Sequence, residues 1–298
     1  MAAVLGVGVA VADRLLVLER HPEEDEELRA ERALALPGGN AANALTVLAR
    51  LGHRCRLLAA LAADAEGRRL AAALEARGVD TAGCPRLEGS TPVSCILLSR
   101  TTGSRTIVHH RDLPELEPEH FTALDLASLA WIHFEGRRPE ATAVMMRTAR
   151  ERAPGARLSL ELEKDRPGVE RLLPLADVVL LSRAFGRARG LEGPEALLAW
   201  ARERAPQALL AAPWGEAGAW GLEPGPSRPC RVPAARPPQV VDTRGAGDAF
   251  AAGLLHALLA GRPLPEALAF AGRLAGAKCG RLGLDDFPLP PLEPRGEP

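Results

Sequence analysis

The chain has 298 residues, of which 47% are hydrophobic, and its formal net charge is −1. This length and apolar content allow a large core, in one big α/β domain or two small ones. The near-neutral charge excludes a general basic surface, so neither nucleic acid nor anionic lipid is expected as a partner. Five cysteines without a Cys-x-x-Cys pair, and no apolar run of about 18 residues, predict a cytoplasmic protein without disulfides or a membrane span.

The N-terminal third opens with a strand and contains one ambiguous region. Residues 4–12 are apolar and are predicted to be a buried strand that ends at Asp13. Residues 23–36 contain good helix formers, yet their leucines and alanines also fit a period of two, so propensity alone favours a helix without excluding a strand. A glycine-asparagine segment, 38–43, then leads into an amphipathic helix that Gly52 closes.

The rest of the chain alternates strands with helices. The predicted strands are 56–62, 92–99, 105–110 (joined to 92–99 by a hairpin turn at 101–104), 130–134, 158–162, 178–181 and 208–212; the predicted helices are 66–77, 139–152, 194–204, 246–260 and 264–279. Such alternation predicts a mostly parallel, doubly wound sheet, and a proline-rich tail over 288–298 is expected to be poorly ordered.

Several polar or glycine residues follow predicted strands directly. They are Asp13, Glu135, Glu163, Gly215 and Asp248. In doubly wound sheets, ligands bind beyond the carboxyl ends of the strands. The sequence therefore predicts one active-site crevice at that edge.

The stretch Val-Val-Asp-Thr-Arg-Gly-Ala-Gly-Asp, residues 240–248, carries the strongest chemical signal. Val240 and Val241 are predicted to end a strand, and 245–248 to begin a helix. Glycines and the unpaired N–H groups of a first helical turn form an anion site, and Asp248 beside it suits proton abstraction. On these residues alone, the simpler interpretation is that Asp248 only complements the helix dipole, which is worth about 0.3–1 kcal/mol.

The segment Gly38-Gly39-Asn40-Ala41-Ala42-Asn43 places two amides on one helix face. Amide side chains both donate and accept hydrogen bonds, as sugar hydroxyls require. The alternative is that Asn40 simply caps the helix. Other nucleotide and nucleophile motifs are absent: there is no P-loop, Gly6-x-Gly8 lacks the third glycine of a dinucleotide site, and there is no Gly-x-Ser-x-Gly elbow.

These two segments together resemble the signatures of the ribokinase-like, or phosphofructokinase B, carbohydrate kinases, and the similarity extends over nearly the whole chain. Further segments, including 131–137 and 277–280, are similar to family members that phosphorylate fructose. The resemblance implies a single kinase domain over 1–298: an αβα sandwich with a mostly parallel central sheet. It also implies a small β-sheet lid, contributed by about 14–36 and 92–110.

The resemblance also implies roles for particular residues. Asp13, Gly39, Asn40 and Asn43 would hold sugar hydroxyls, with Asp248 as general base in phosphoryl transfer from ATP. Nucleotide would contact Arg105, the loop Gly215, Glu216, Ala217 and Gly218, and the anion hole Gly245, Ala246 and Gly247. Mg²⁺ would accompany ATP, and K⁺ would lie near Asp242-Thr243. Two lids would clasp to form a homodimer, with Asp25 reaching the neighbouring site.

The sequence departs from the family at two points, of which one is the loop Pro213-Trp214-Gly215, which is not a perfect match. Many members carry Asn-x-x-Glu, linked to Mg²⁺, where this chain has Ser182-Arg183-Ala184-Phe185. No metal ligand is therefore assigned, and Glu135, Glu161 and Glu163 are candidates through water. The expected product is fructose 1-phosphate. The alternatives are a kinase of ribose, another ketose, a sugar acid or a nucleoside, or a catalytically silent binder, which would be expected to lose Asp248 or the glycines.

Overall fold

The computed structural model describes residues 1–292 of the chain. Its strands are β1 (Ala3–Val7), β2 (Val11–Leu18), β3 (Arg32–Gly38), β4 (Arg54–Leu58), β5 (Leu61–Ala62), β6 (Val79–Asp80), β7 (Arg86–Leu87), β8 (Val93–Ser99), β9 (Arg105–His110), β10 (Trp131–Glu135), β11 (Arg157–Leu162), β12 (Val178–Leu181), β13 (Leu209–Pro213), β14 (Ala219–Leu222) and β15 (Cys230–Val232). Its α-helices are α1 (Asn40–Arg50), α2 (Ala65–Glu75), α3 (Pro118–Thr122), α4 (Pro139–Arg152), α5 (Arg183–Ala188), α6 (Gly193–Arg204), α7 (Ala246–Leu259) and α8 (Leu264–Cys279), and the two 3-10 helices are Val169–Leu175 and Gly215–Ala217.

The main sheet has nine strands in the order β15-β14-β13-β12-β11-β10-β1-β4-β6. All pairs are parallel except the last two at one edge, β13 with β14 and β14 with β15. One core packs helices α1, α2, α7 and α8 on one face of the sheet, and a second packs α3 to α6 on the other. The predicted αβα sandwich with a mostly parallel sheet is confirmed.

A separate four-stranded sheet in the order β3-β2-β8-β9 forms what we call the lid. Strands β2 and β8 are parallel, and the two outer pairs are antiparallel. Leu15, Val17, Ile96 and Leu98 form its small apolar core. The helix that propensity favours over 23–36 does not form: residues 19–31 are irregular and β3 follows, because its alternating side chains pair with β2.

Three predicted strands are wrong in extent or existence. The run 4–12 is divided between β1 and β2, since the chain leaves the main sheet at Gly8 and enters the lid. The run 56–62 likewise divides into β4 and β5. Val240 and Val241 form no strand; both are exposed, and the N–H of Val241 donates to the carbonyl of Cys279 (2.8 Å).

Two expectations concern the membrane and the tail. Within residues 1–292, no helix has the length and apolarity needed to cross a membrane. The expectation of a poorly ordered tail falls partly on 293–298, which lie outside the described residues.

Candidate active site

Asp248 lies in the first turn of α7, at the edge of the sheet where the parallel strands end. Gly245 precedes the helix in the left-handed conformation (φ 69°), which turns the chain into α7 without a strand before it, contrary to the sequence prediction. Among the described residues, the N–H groups of Gly247 and Asp248 have no acceptor, and the space beside the Gly247 α-carbon is open. The start of α7 therefore presents free donors at Gly247 and Asp248, as an anion site requires, whereas the N–H of Ala246 donates to the carbonyl of Thr243 (3.3 Å).

Asp248 is buried beside other carboxylates. Burial and the charge of Glu161 raise the pKa of Asp248 well above its usual range, with smaller contributions from Glu163 and Glu135. The Asn43 amide opposes this shift by donating from Nδ2 to Oδ2 of Asp248 (2.7 Å). A carboxylate with a raised pKa is a stronger proton acceptor when ionised.

The two amides of α1 lie one turn apart and face this carboxylate group. Asn43 reaches Asp248, and Asn40 Nδ2 lies 3.3 Å from Oε1 of Glu161 and 3.3 Å from Oε2 of Glu163. Asn40 does not cap α1, because Gly39 occupies the cap position with φ 103°. A β-carbon on Gly39 would lie 2.1 Å from the carbonyl oxygen of Val9, so the chain passes too close for any side chain.

Asp13 approaches the site from the middle of β2, and not from beyond a strand end as predicted. A β-carbon on Gly38 of the paired strand would lie 2.4 Å from Oδ2 of Asp13, so this glycine leaves room for the carboxylate. Burial raises the pKa of Asp13 to about 6, against the opposing effects of Arg244 and Ser94. Nη1 of Arg244 lies 3.9 Å from Oδ2 of Asp13.

Behind the amides, the ends of β10 and β11 carry a buried acidic group. Glu135 Oε1 accepts from the N–H groups of Val9 (3.2 Å) and Ala41 (2.8 Å), and burial raises the pKa of Glu135 to about 7. Burial and Glu163 raise the pKa of Glu161 to about 7, and its Oε2 lies 3.6 Å from Nε2 of His133. Neither of these two atoms has a hydrogen-bond partner among the described residues.

Asp242, three residues before the anion-binding turn, is completely surrounded by donors. Lys278 Nζ lies 3.0 Å from its Oδ2, and the backbone N–H and guanidinium of Arg244 also donate to the carboxylate. From the lid, Arg105 Nη1 donates to Oγ1 of Thr243 (2.8 Å). The roles of Arg244 and Lys278 are not predicted from the sequence; the one signal that it contains is that Lys278 is one of only two lysines.

The remaining residues that the sequence assigned to nucleotide, dimer or metal contacts are described by their own surroundings. Gly215, Glu216, Ala217 and Gly218 form a turn between β13 and β14; its first three residues are exposed, whereas Gly218 (φ 104°) is buried against the carbonyl of Val232. Asp25 is exposed in the turn between β2 and β3, with φ 61°. At the departure from Asn-x-x-Glu, Ser182 caps α5 by accepting from the N–H of Phe185 (3.0 Å).

A pocket with about 430 Å³ of empty space, part of it open to solvent, lies where the lid, α1 and the turn before α7 meet. The residues that line it are Asp13, Leu36, Pro37, Asn43, Thr46, Arg77, Arg244, Gly245, Gly283, Leu284 and Asp285. In the described chain, neither the 215–218 turn nor Asn40 and Asp248 line it, although Asp248 is bonded to Asn43, which does. The site thus combines a proton acceptor, free N–H donors for an anion and hydrogen-bonding side chains beneath a lid, which is the equipment of a small-molecule kinase.

Comparison with known proteins identifies the family. The model of the pfkB family carbohydrate kinases matches residues 1–291, and the chain belongs to this family. It is 35% identical to mouse ketohexokinase over 95% of this chain and 97% of that protein. It is 29% identical to an ATP-dependent ribose-1-phosphate kinase of Halopiger xanaduensis, over 97% and 95% of the two chains. The protein is an ATP-dependent carbohydrate kinase.

Solved structures agree on the fold. The ribokinase of Giardia lamblia superposes with a TM-score of 0.83, covering 95% of this chain and 96% of that one at 17% identity. At that identity, the likeness concerns the fold alone. The ribokinase-like fold that the sequence resemblance implied is thereby confirmed.

Proposed function

We propose that the protein phosphorylates fructose to fructose 1-phosphate, with Asp248 as the general base. The observation that carries this proposal is that the Asn43 amide holds the Asp248 carboxylate at a helix start whose N–H groups at Gly247 and Asp248 are free among the described residues. A hydroxyl held there lies beside both a proton acceptor and a phosphate site. Proton removal by a positioned base contributes about 10²–10⁴-fold to the rate.

The sugar would be held from both sides of the pocket. Asp13 on the lid and Asn40 and Asn43 on α1 offer acceptors and donors to its hydroxyls, and the backbone of Gly39 brings α1 close to the lid. As the hydroxyl attacks the γ-phosphate in line, its proton passes to a carboxylate oxygen of Asp248. Asn43 keeps that carboxylate in place throughout.

The nucleotide would enter over the N terminus of α7. The N–H groups of Gly245, Ala246 and Gly247 would stabilise charge on the transferred phosphoryl group, each worth about 2.7–4 kcal/mol by analogy with oxyanion holes. That of Ala246 would first have to leave the carbonyl of Thr243, to which it donates (3.3 Å). Arg105, already bonded to Thr243, would contact the phosphates, and residues 215–218 would border the base. Docking of Arg105 would also bring the lid over the site and exclude water.

Mg²⁺ would come with ATP and neutralise charge on its phosphates. Within residues 1–292, no three or more His, Cys, Asp and Glu side chains form a ready-made metal site. The side chains that fit the ion through water are Glu161 and Glu163, which converge on Asn40, and Glu161 has an unpartnered oxygen. Carboxylates are the oxygen ligands that Mg²⁺ prefers.

An uncharged sugar is favoured over a phosphorylated one by the arginines of the pocket. The 29% identical ribose-1-phosphate kinase makes a sugar phosphate the natural alternative. However, Arg77 is bound to both carboxylate oxygens of Asp285 (2.7 and 2.8 Å), and Arg244 is bound to Asp242. Each guanidinium is thus already paired with a carboxylate, so neither brings an uncompensated positive charge to a substrate phosphate. The 35% identity to a ketohexokinase supports fructose.

The lid offers a surface for the proposed homodimer. Strand β9 is an edge strand whose six residues are all exposed, with Ile107 50% and Val108 65% accessible. Exposed apolar edges are usually covered by a partner. In a clasped dimer, Asp25 would reach the neighbouring site. A cytoplasmic location, in keeping with five free thiols, completes the proposal.

The test is ADP release with ATP and Mg²⁺ against fructose, ribose, ribose 1-phosphate, tagatose, xylulose and adenosine. The proposal expects the highest kcat/KM for fructose, with the phosphate on O1 of the product by NMR. Turnover confined to ribose 1-phosphate or adenosine would overturn fructose as the substrate and leave the role of Asp248 in place. A chain that turns over none of them would contradict it.

A further inference from the structure

Lys278 is completely buried in the last turn of α8, where its ammonium contacts one residue twice. Its Nζ donates to the backbone carbonyl of Asp242 (2.7 Å) and lies 3.0 Å from Oδ2 of the same residue. A buried lysine is rare unless it is paired. This pair lies four residues before the helix that carries Asp248, yet the proposed chemistry does not use it.

The Asp242 carboxylate has no acceptor position left. Besides Lys278, Oδ2 accepts from Arg244 Nη2 (3.1 Å) and from the N–H of Gly283 (3.2 Å). Oδ1 accepts from the N–H of Arg244 (2.9 Å) and from its Nε (3.3 Å). An ionised carboxylate offers about four lone-pair positions, and five donors converge on these two oxygens.

The charges lead to the same conclusion. One buried carboxylate already faces two cations, the ammonium of Lys278 and the guanidinium of Arg244, whose side chains are 0% and 12% exposed. A third positive charge there would be repelled by both cations in a poorly solvated place. The K⁺ ion that the family resemblance implies near Asp242-Thr243 therefore does not fit this chain.

We infer that the Lys278 ammonium replaces that ion as a tethered cation and fixes the anion-binding turn. The connection is physical and short. The Lys278 ammonium holds Asp242, and Oδ1 of Asp242 accepts from the N–H of Arg244. The next residue, Gly245, is the N-cap of α7. The N–H of Val241 is fixed in turn by the carbonyl of Cys279, next to Lys278.

Lys278 is on this account a positioning residue that acts through residues 242–244. It sets the N–H donors that meet the transferred phosphate, and so it should affect kcat more than the KM of the sugar. This part of the inference rests on the proposed role of the 245–247 turn. The exclusion of K⁺ rests only on the surroundings of Asp242.

The wild-type protein tests the exclusion of K⁺ without any substitution. At equal ionic strength, the chlorides of K⁺, Na⁺ and tetramethylammonium should give turnover with the best sugar within two-fold of one another. The Tm, measured without substrate, should likewise agree within about 1 °C, because an ion that does not bind cannot stabilise the fold. A K⁺-dependent rise in Tm or more than two-fold activation would overturn the inference, whichever sugar the enzyme uses.

Lys278→Met tests the positioning role. In tetramethylammonium chloride, we expect kcat to fall at least 50-fold with sugar KM within three-fold, and K⁺ or NH₄⁺ to restore at least ten-fold while raising the Tm. Arg273→Met, which removes another cation of α8 that stacks on Phe270, is the control and should change neither quantity. A Lys278→Met protein with wild-type kcat in tetramethylammonium would overturn the role. Should this variant not fold, the wild-type salt series still decides whether K⁺ is excluded from the place that the Lys278 ammonium fills.

Discussion

Nδ2 of Asn43 donates a 2.7 Å hydrogen bond to Oδ2 of Asp248, across 205 residues of chain. This bond joins α1, which follows strand β3 of the lid, to α7, which begins at the anion-binding turn. Burial and neighbouring glutamates push the pKa of Asp248 upward, and this bond is what opposes them. The protonation of Asp248, the proposed base, therefore depends on the Asn43 amide.

Removal of that amide should shift the pH dependence of the reaction. The base must be ionised, so kcat/KM falls as pH drops through the raised pKa of Asp248. In Asn43→Leu the carboxylate loses a donor, its pKa rises further, and the acid limb should move to higher pH. Asn40→Leu, which removes no bond to Asp248, should move the limb much less. An unchanged limb in Asn43→Leu would contradict the role of the bond.

Sugar binding should depend on the charge of Asp13, whose pKa is raised to about 6 by burial. Protonation removes a charged acceptor, so the sugar KM should rise as pH falls through about 6. Asp13→Asn should raise the KM about ten-fold or more at pH 8 and abolish this dependence, since hydrogen bonds to charged groups are worth about 1.5–3 kcal/mol.

A stability measurement separates this effect from misfolding. Because the folded-state pKa of Asp13 lies above its unfolded value, ionisation of this group costs stability as pH rises through about 6. The Tm of Asp13→Asn at pH 8 should therefore be no lower than that of the wild-type protein. A lower Tm together with the higher KM would point to a structural role instead.

Gly39 should tolerate no side chain. At φ 103°, a β-carbon would lie 2.1 Å from the carbonyl oxygen of Val9, so Gly39→Ala must displace the start of α1 and its amides. We expect a loss of at least about 2 kcal/mol in the free energy of unfolding. Gly103→Ala is the matched control: its φ is 66° but its surroundings are open, so the loss should stay near 1 kcal/mol. Equal losses would contradict the steric argument.

The lid turn provides a test of the dimer. If Asp25 reaches a partner's site, Asp25→Ala should weaken nucleotide binding several-fold with only a small fall in Tm, because the residue is exposed in the monomer but alanine tolerates its left-handed conformation (φ 61°) less well than aspartate. Glu24→Ala, next to it and also exposed, should leave nucleotide affinity unchanged. Sedimentation equilibrium should show dimers in both variants. Unchanged nucleotide affinity in Asp25→Ala would count against the role.

The layered fold could be predicted because its signal is local. Strands such as β12 and helices such as α4 and α8 were predicted with the bounds that the structure has, since each has its own buried face and clear ends. The lid was harder. Its strand β3 is built from residues that favour a helix in isolation, and only pairing with β2 makes it extended.

The contacts within the site could not be predicted, because they join distant segments. The pair Lys278–Asp242 spans 36 residues and the pair Asn43–Asp248 spans 205. Neither spacing has a local periodicity that a sequence pattern would reveal. The prediction of a strand at Val240 and Val241 failed for a related reason: hydrogen bonding to Cys279 holds this segment in place without a ladder.

The central claim is that Asp248 accepts the proton of the sugar hydroxyl, and Asp248→Asn tests it most directly. We expect kcat to fall by at least about 10³ while sugar affinity stays within several-fold, because the amide keeps the shape but cannot accept a proton as a carboxylate does. Asp125→Asn, an exposed carboxylate before β10, should retain full activity. An Asp248→Asn protein that keeps more than a tenth of wild-type turnover would contradict the claim.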